Sequence, residues 1–229
     1  MRTAPGASRG GAGLRRLAGL ALASLAACVS SSSQPDESAV DTSGERQPSA
    51  QTLHSMARIM MSRGQDGEAE VTLNKLIADH PRYMAAYADL SELYIRNRRS
   101  DSAVEVLKAG IALAPEDAVL LNNLGMCRLM EERYEEALDH FTAAAAGVPK
   151  DVRARANMAV ALGMLGRLDE SLALYLQLVP EGDAHYNLAV LCEARKDWAR
   201  AEQEYAIAEK LGSVAGPKDS SGGESASRP

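Results

Sequence analysis

Four histidines, three cysteines and a few adjacent carboxylates are the residues of this 229-residue chain whose types could carry catalysis or hold a metal. His54, His80, His140 and His185 are far apart. No HExxH, glycine-rich phosphate loop or Gly-x-Ser-x-Gly accompanies them. Each is expected on a surface or in a turn. Glu131-Glu132 and Glu135-Glu136 fall on a polar turn and a helix face, as solvated charges rather than an acid–base pair. Three cysteines are too few for a disulfide scaffold. The expectation is therefore no enzyme activity, no cofactor and no metal. What remains is the chemistry of attachment and binding: Cys28 behind an apolar run, and the asparagines Asn123, Asn157 and Asn187.

Residues 1–16 are basic and end on Arg15-Arg16, and "LAGLALASLAAC" follows, ending at Cys28. A charged start, a short apolar core and small residues before a cut describe a secretory signal. The run is shorter than the roughly 20 apolar residues that cross a bilayer. Leu25-Ala26-Ala27-Cys28 resembles the lipobox of bacterial lipoproteins. That resemblance implies a signal peptide over 1–27, cleavage before Cys28, and a lipid on its sulfur and amine. Val29 rather than Asp follows the cysteine, which by the same resemblance implies the outer membrane, facing the periplasm. Residues 28–49 are rich in Ser, Pro, Asp and Glu, and 216–229 is similar. Neither can bury enough apolar surface to offset chain entropy, so a flexible tether and a disordered tail are expected.

The elements that must position any site appear as a period of 34 residues. Small residues recur at the eighth place (Ala57, Ser91, Gly125, Ala159, Ala189) and the twentieth (Ala69, Ala103, Ala137, Ser171, Ala201). Pro81, Pro115 and Pro149 close three units in register. This pattern resembles the tetratricopeptide repeat, TPR. The resemblance covers 50–215 in five copies: 50–83, 84–117, 118–151, 152–181 and 182–215. The fourth copy is short by four residues and the fifth lacks its proline. The resemblance implies an all-α fold, a right-handed α-solenoid of about five hairpins. Each hairpin would be a helix A and a helix B joined by a polar turn such as Glu131-Glu132-Arg133. Gly125 costs about 1 kcal/mol of helix propensity against alanine. Its place is where helix B crosses, so Gly125 and Ala137 are expected to let the two backbones approach. Tyr134, Leu168 and Trp198 share the seventeenth place and are expected to wedge the end of the hairpin. Cys127 and Cys192, two repeats apart, are expected to be buried free thiols.

Places two, six, nine and thirteen of helix A form a second stripe, nearly opposite the one that packs on helix B. In stacked hairpins this stripe faces the inner wall. The first two repeats give it polar residues, including Arg58, Ser62, Asp89, Glu92 and Arg96, which look like ordinary solvated faces. The later repeats give Asn123, Met126 and Met130, then Asn157, Val160 and Met164, then Asn187 and Val190. An asparagine amide donates and accepts, so a series of them matches a peptide backbone of any sequence. Some TPR proteins hold peptides with such a ladder, and Asn123, Asn157 and Asn187 resemble it. Methionine and valine beside them would supply adaptable apolar contact. The other reading is an inner wall closed between neighbouring A helices. Asn122, on a flank, is given no role beyond solvation. His54, Arg58, Asp89 and Val119 stand where other TPR proteins clamp a terminal carboxylate, and they do not match that clamp.

The chain is acidic, with a net charge of −6. Removing Arg2, Arg9, Arg15 and Arg16 leaves 21 basic residues against 31 acidic, a net of −10. That argues against nucleic acid as a partner. The function expected is a non-enzymatic scaffold, tethered to the membrane through Cys28, that binds a protein or peptide in the inner groove. Its architecture is similar to pilotins of type IV pilus secretins and to Tad pilus assembly lipoproteins, which implies service in pilus or secretion-system assembly. The alternatives are a lipoprotein that self-associates through its last helix, and an untethered cytosolic adaptor.

Overall fold

The computed structural model describes residues 48–213. The 1–27 signal, Cys28, the linker up to residue 47 and the 216–229 tail lie outside the described residues. Ten α-helices and no strand occur among those described. They pair as α1 (Ala50–Ser62) with α2 (Asp66–Asp79), α3 (Met84–Arg96) with α4 (Ser100–Leu113), and α5 (Ala118–Met130) with α6 (Tyr134–Gly147). Then come α7 (Val152–Met164) with α8 (Leu168–Tyr175), and α9 (Glu181–Ala194) with α10 (Trp198–Lys210). The fold is all-α, built of helical hairpins of the α-solenoid class.

Local chemistry sets the ends of these helices. The Ser49 hydroxyl accepts from the Thr52 amide, and the Asp117 carboxylate accepts from the amides of Val119 and Leu120. Both satisfy orphan donors at a helix start. Every A–B turn places one residue in the left-handed region, at the fifteenth place of its repeat: Gly64, Arg98, Glu132, Gly166 and Lys196. A left-handed residue stops α-helical propagation and reverses the chain within a few residues. Three of the five are not glycine and carry its steric cost.

The described residues form two compact units, 48–161 and 162–213, divided within α7. In the first unit each A helix packs on its own B helix, and α2 and α4 pack on the A helix that follows. The A helices also touch one another, α1 with α3 and α3 with α5, whereas α2, α4 and α6 share no such contact. The A helices are therefore the inner row of this unit. Ala57, Ser91 and Gly125 on the A helices, and Ala69, Ala103 and Ala137 on the B helices, are all buried. Leu73, Leu107 and Phe141 fill the space beside them, each without exposed surface.

Gly125 shows the cost and return of this arrangement. A Cβ at Gly125 would stand 2.6 Å from Cε1 and 2.7 Å from Cδ1 of Phe141. The space is taken by the aromatic ring, not by the α6 backbone, which corrects the backbone-approach expectation. Burying a phenylalanine side chain is worth roughly 1.5–3 kcal/mol, against about 1 kcal/mol of lost propensity. Burial wins.

The second unit holds the end of α7, then α8, α9 and α10. Leu188, Cys192 and Ala201 form its core, with Leu168, Leu172 and Tyr205 against them. Helix α8 has 8 residues, and hydrogen bonds from the amides of Leu176 to Val179 continue as turns up to Pro180. This is the repeat short by four residues. Leu168 and Tyr134 are half-buried, but Trp198 is 61% exposed. Trp198, the first residue of α10, is therefore not a wedge: most of its surface faces solvent.

Candidate functional site

The eight residues expected in the groove fall in both units. In the 48–161 unit, Asn123 and Met126 are half-buried and Met130 is exposed. Met126 also packs against the Phe141 cluster. Asn157 and Val160 are buried, at 5% and 6% exposure. In the 162–213 unit, Met164 and Val190 are buried and Asn187 is half-buried. The two asparagine amides of the first unit have partners inside the chain. Asn123 Nδ2 donates to Ser91 Oγ at 3.2 Å, and Ser91 Oγ donates to the Ala88 carbonyl at 2.7 Å. Asn157 Nδ2 donates to Asn122 Oδ1 at 2.9 Å. Asn122 thus ties α7 to α5 and does more than meet solvent. A peptide reaching Asn157 would first have to displace that bond.

The inner row is open where the sequence looked ordinary. A cleft of about 170 Å³ lies between α1 and α3, lined by Arg58, Met61, Ser62, Asp89, Glu92 and Arg96. Five of these six residues stand on the stripe that helical spacing assigns to the inner wall. Sequence reasoning read this charged end as an ordinary solvated face, because charged residues on a helix are mostly solvated. The signal available was the opposite charge of Arg58 and Glu92 at the same place of adjacent repeats.

The charges of the cleft are unequally compensated. Asp89 Oδ2 lies 2.8 Å from His54 Nε2 and 3.9 Å from Arg58 Nε. His54 Nδ1 is 3.1 Å from the Tyr83 hydroxyl. His54 is therefore a half-buried bridge between α1 and α3, not a free surface group. Arg96 Nη2 turns out of the cleft to Asp66 Oδ1, beside the Asn97 amide on the same carboxylate. Glu92 forms no ion pair among the described residues. Its carboxyl is held above the usual range by burial first, then by Asp89, with Arg96 and Arg58 opposing more weakly.

The remaining titratable groups serve packing. His185 Nδ1 meets Glu204 Oε2, and Arg200 Nε stands 2.7 Å from Glu204 Oε1. The His185 contact holds α9 to α10 around a carboxylate that is 2% exposed, and Arg200 pairs with it from within α10. His185 is thus a helix bridge as well. Cys127 and Cys192 are free and buried. Burial pushes both thiols up to about 11, with Glu131 adding to it at Cys127 and Asp197 at Cys192. Neither is poised as a nucleophile. No group of three metal-ligating side chains gathers among the described residues.

Family models described as tetratricopeptide repeat match residues 57–118, 88–152 and 128–184. The chain is 34% identical over 82 residues to the peroxisomal targeting signal receptor of Candida albicans, covering 36% of this chain and 14% of that protein. It is 26% identical over 143 residues to the protein O-mannosyl-transferase TMTC1 of Mus musculus, covering 59% and 15%. It thus spans about one seventh of the length of the curated relatives it matches. Its fold is similar to that of YrrB, titled a TPR protein with an unusual peptide-binding site. There the TM-score is 0.56 and the identity 20%, over 71% of this chain and 86% of that one. The structure of Pseudomonas aeruginosa PilF is similar too, with a TM-score of 0.57 and 19% identity over 71% and 76%.

Proposed function

This chain belongs to the tetratricopeptide-repeat family, and from that premise we propose that it is a membrane-tethered scaffold that holds an extended peptide or partner helix. Recognition of protein partners is what its fold and family support. The finer reading has three parts. A lipid on Cys28 ties the chain to the outer membrane on the periplasmic side. The partner lies along the inner faces of α1, α3 and α5. The assembly it serves is a pilus or a secretion system.

One observation carries the placement of the partner. The inner faces of these three helices are accessible through Arg58, Glu92, Arg96 and Met130, while Asn157, Val160 and Ala161 at the end of the same unit are covered. Binding energy must come from surface that partner-free protein leaves to water. YrrB, titled a TPR protein with an unusual peptide-binding site, and Pseudomonas aeruginosa PilF share this fold, which supports the reading. Self-association through α10 has less support. Trp198 and Ile207 are exposed, but nine residues at 100° each put them on opposite sides of the helix.

Two measurements test the proposal. Growth with a labelled fatty acid should mark the wild-type chain and leave Cys28→Ser unmarked; equal labelling removes the tether. Crosslinked capture should then compare wild type with an Asn123→Ala, Met130→Ser variant of unchanged circular dichroism. Partners recovered equally by both would remove α5 from the binding face.

A further inference from the structure

The α1–α2 hairpin carries a second surface, apart from the inner face proposed for the peptide. We infer that the stripe Thr52, Met56, Ile59 and Arg63 on α1 docks an amphipathic helix of another protein, one with an acidic residue in its first turn, packed there as α2 packs on α3.

The chain contains its own template for that contact. Places three, seven, ten and fourteen of an A helix fall within about 60° of one another at about 100° per residue. In α3 and α5 the preceding B helix covers this stripe. A Cβ at Gly110 of α4 would stand 2.8 Å from Leu120 Cδ1 on α5. Asn97 Nδ2, at the end of α3, donates to Asp66 Oδ2 of α2 at 2.9 Å. The covered residues are apolar and closed to water: Ala86, Leu90 and Leu93 on α3, and Leu120, Leu124 and Cys127 on α5. On α1 the same three places hold Thr52, Met56 and Ile59. Met56 is 42% and Ile59 50% exposed, and Thr52 is exposed as well. The apolar chemistry of a covered stripe is present on α1 without a cover among the described residues.

Composition and charge point to the occupant. The last helix, α10, turns charge outward: exposed Glu202 and Glu209 stand at the places where α4 has Val104 and Ile111. A polar face of that kind closes a solenoid end, and α1 has no such charge at its seventh and tenth places. Residues 28–47 hold only Val29, Ala39 and Val40 among Ala, Val, Leu, Ile and Met, too few for an apolar stripe over several turns. The 1–27 leader is gone once Cys28 is the first residue. The cover must then come from another molecule. Its charge follows from the fourteenth place. Asn97 there binds Asp66, the first residue of α2, whose other oxygen takes Arg96. Arg63 holds that place on α1, exposed and with no ion pair among the described residues. A carboxylate at the start of an incoming helix would meet Arg63 and would also suit the dipole of its own helix.

The test uses the 28–229 chain without lipid and a fluorescent copy of the α2 sequence, Asp66–Asp79. A hydrocarbon staple replaces Gly67 and Val71, because so short a peptide is otherwise poorly helical in water. Both positions are exposed on α2, so the staple stays off the packing face. Wild type should bind this peptide saturably below about 100 μM. Met56→Ser with Ile59→Ser should weaken binding at least about tenfold, at unchanged circular dichroism because both side chains already face water. Arg63→Glu should weaken it about threefold and bind an Asp66→Lys peptide better than the original, a reversal that loss of folding cannot produce. No saturation, or equal binding by the Met56→Ser, Ile59→Ser variant, overturns the inference and leaves the groove reading standing. An Arg63→Glu variant that still prefers the original peptide overturns it too. So does a dimer of the peptide-free wild type in sedimentation that Met56→Ser with Ile59→Ser dissolves, since a second copy is then the occupant.

Discussion

Replacing Gly125 by alanine in the middle of α5 sets two opposed effects against each other with known signs. Alanine gains about 1 kcal/mol of helix propensity over glycine. The added methyl would stand 2.6–3.1 Å from three ring carbons of Phe141, closer than carbon atoms pack, and the ring is fully buried. A buried aromatic ring cannot turn aside as a flexible side-chain tip would. Overpacking of this kind typically costs 1–3 kcal/mol. The net expectation is a loss of about 1 kcal/mol. In a Phe141→Leu background, which itself loses stability through a smaller side chain, the ring is gone and the propensity gain remains. There Gly125→Ala should be neutral or stabilising. Urea unfolding of the four proteins gives the coupling directly, expected at about 1–3 kcal/mol. If Gly125→Ala changes stability by the same amount in both backgrounds, the ring is not what requires the glycine.

Other outcomes follow from the same geometry. Cys127 and Cys192, with thiols pushed up to about 11, should be thiolate in roughly one molecule per thousand at pH 8. They should react with a thiol reagent only after urea is added, and rapid labelling in the native state would contradict their burial. Glu132 is exposed and left-handed, with φ at 60°. Glu132→Gly should therefore raise the urea midpoint by the equivalent of about 1 kcal/mol, and a lower midpoint would show that the turn is not strained. The His140 imidazole is held below its ordinary value by burial first and then by Arg128, against weaker pulls from Glu136 and Asp139. Its contribution is complete above 6.5 and is lost as pH falls through the lowered value. Wild type should therefore lose more stability than His140→Gln between pH 7.5 and pH 5, and parallel losses would refute it.

The sequence by itself determined the repeat. A 34-residue period carrying small residues at two fixed places resembles the tetratricopeptide repeat and implies paired helices, and the ten helices among the described residues pair in that way. It also determined which residues of helix A share a stripe, because 100° per residue leaves little freedom. It could not determine which part of that stripe stays open. Asn122, on a flank in the linear pattern, meets Asn157 thirty-five residues away, and that contact helps cover the fourth A helix. His54 and His185 looked solitary because Asp89 and Glu204 lie on other helices. Exposure and ion pairing are sums over neighbours brought from elsewhere in the chain. A residue's own type and spacing fix the face it occupies, whereas its access to a partner depends on what the next helix places over it.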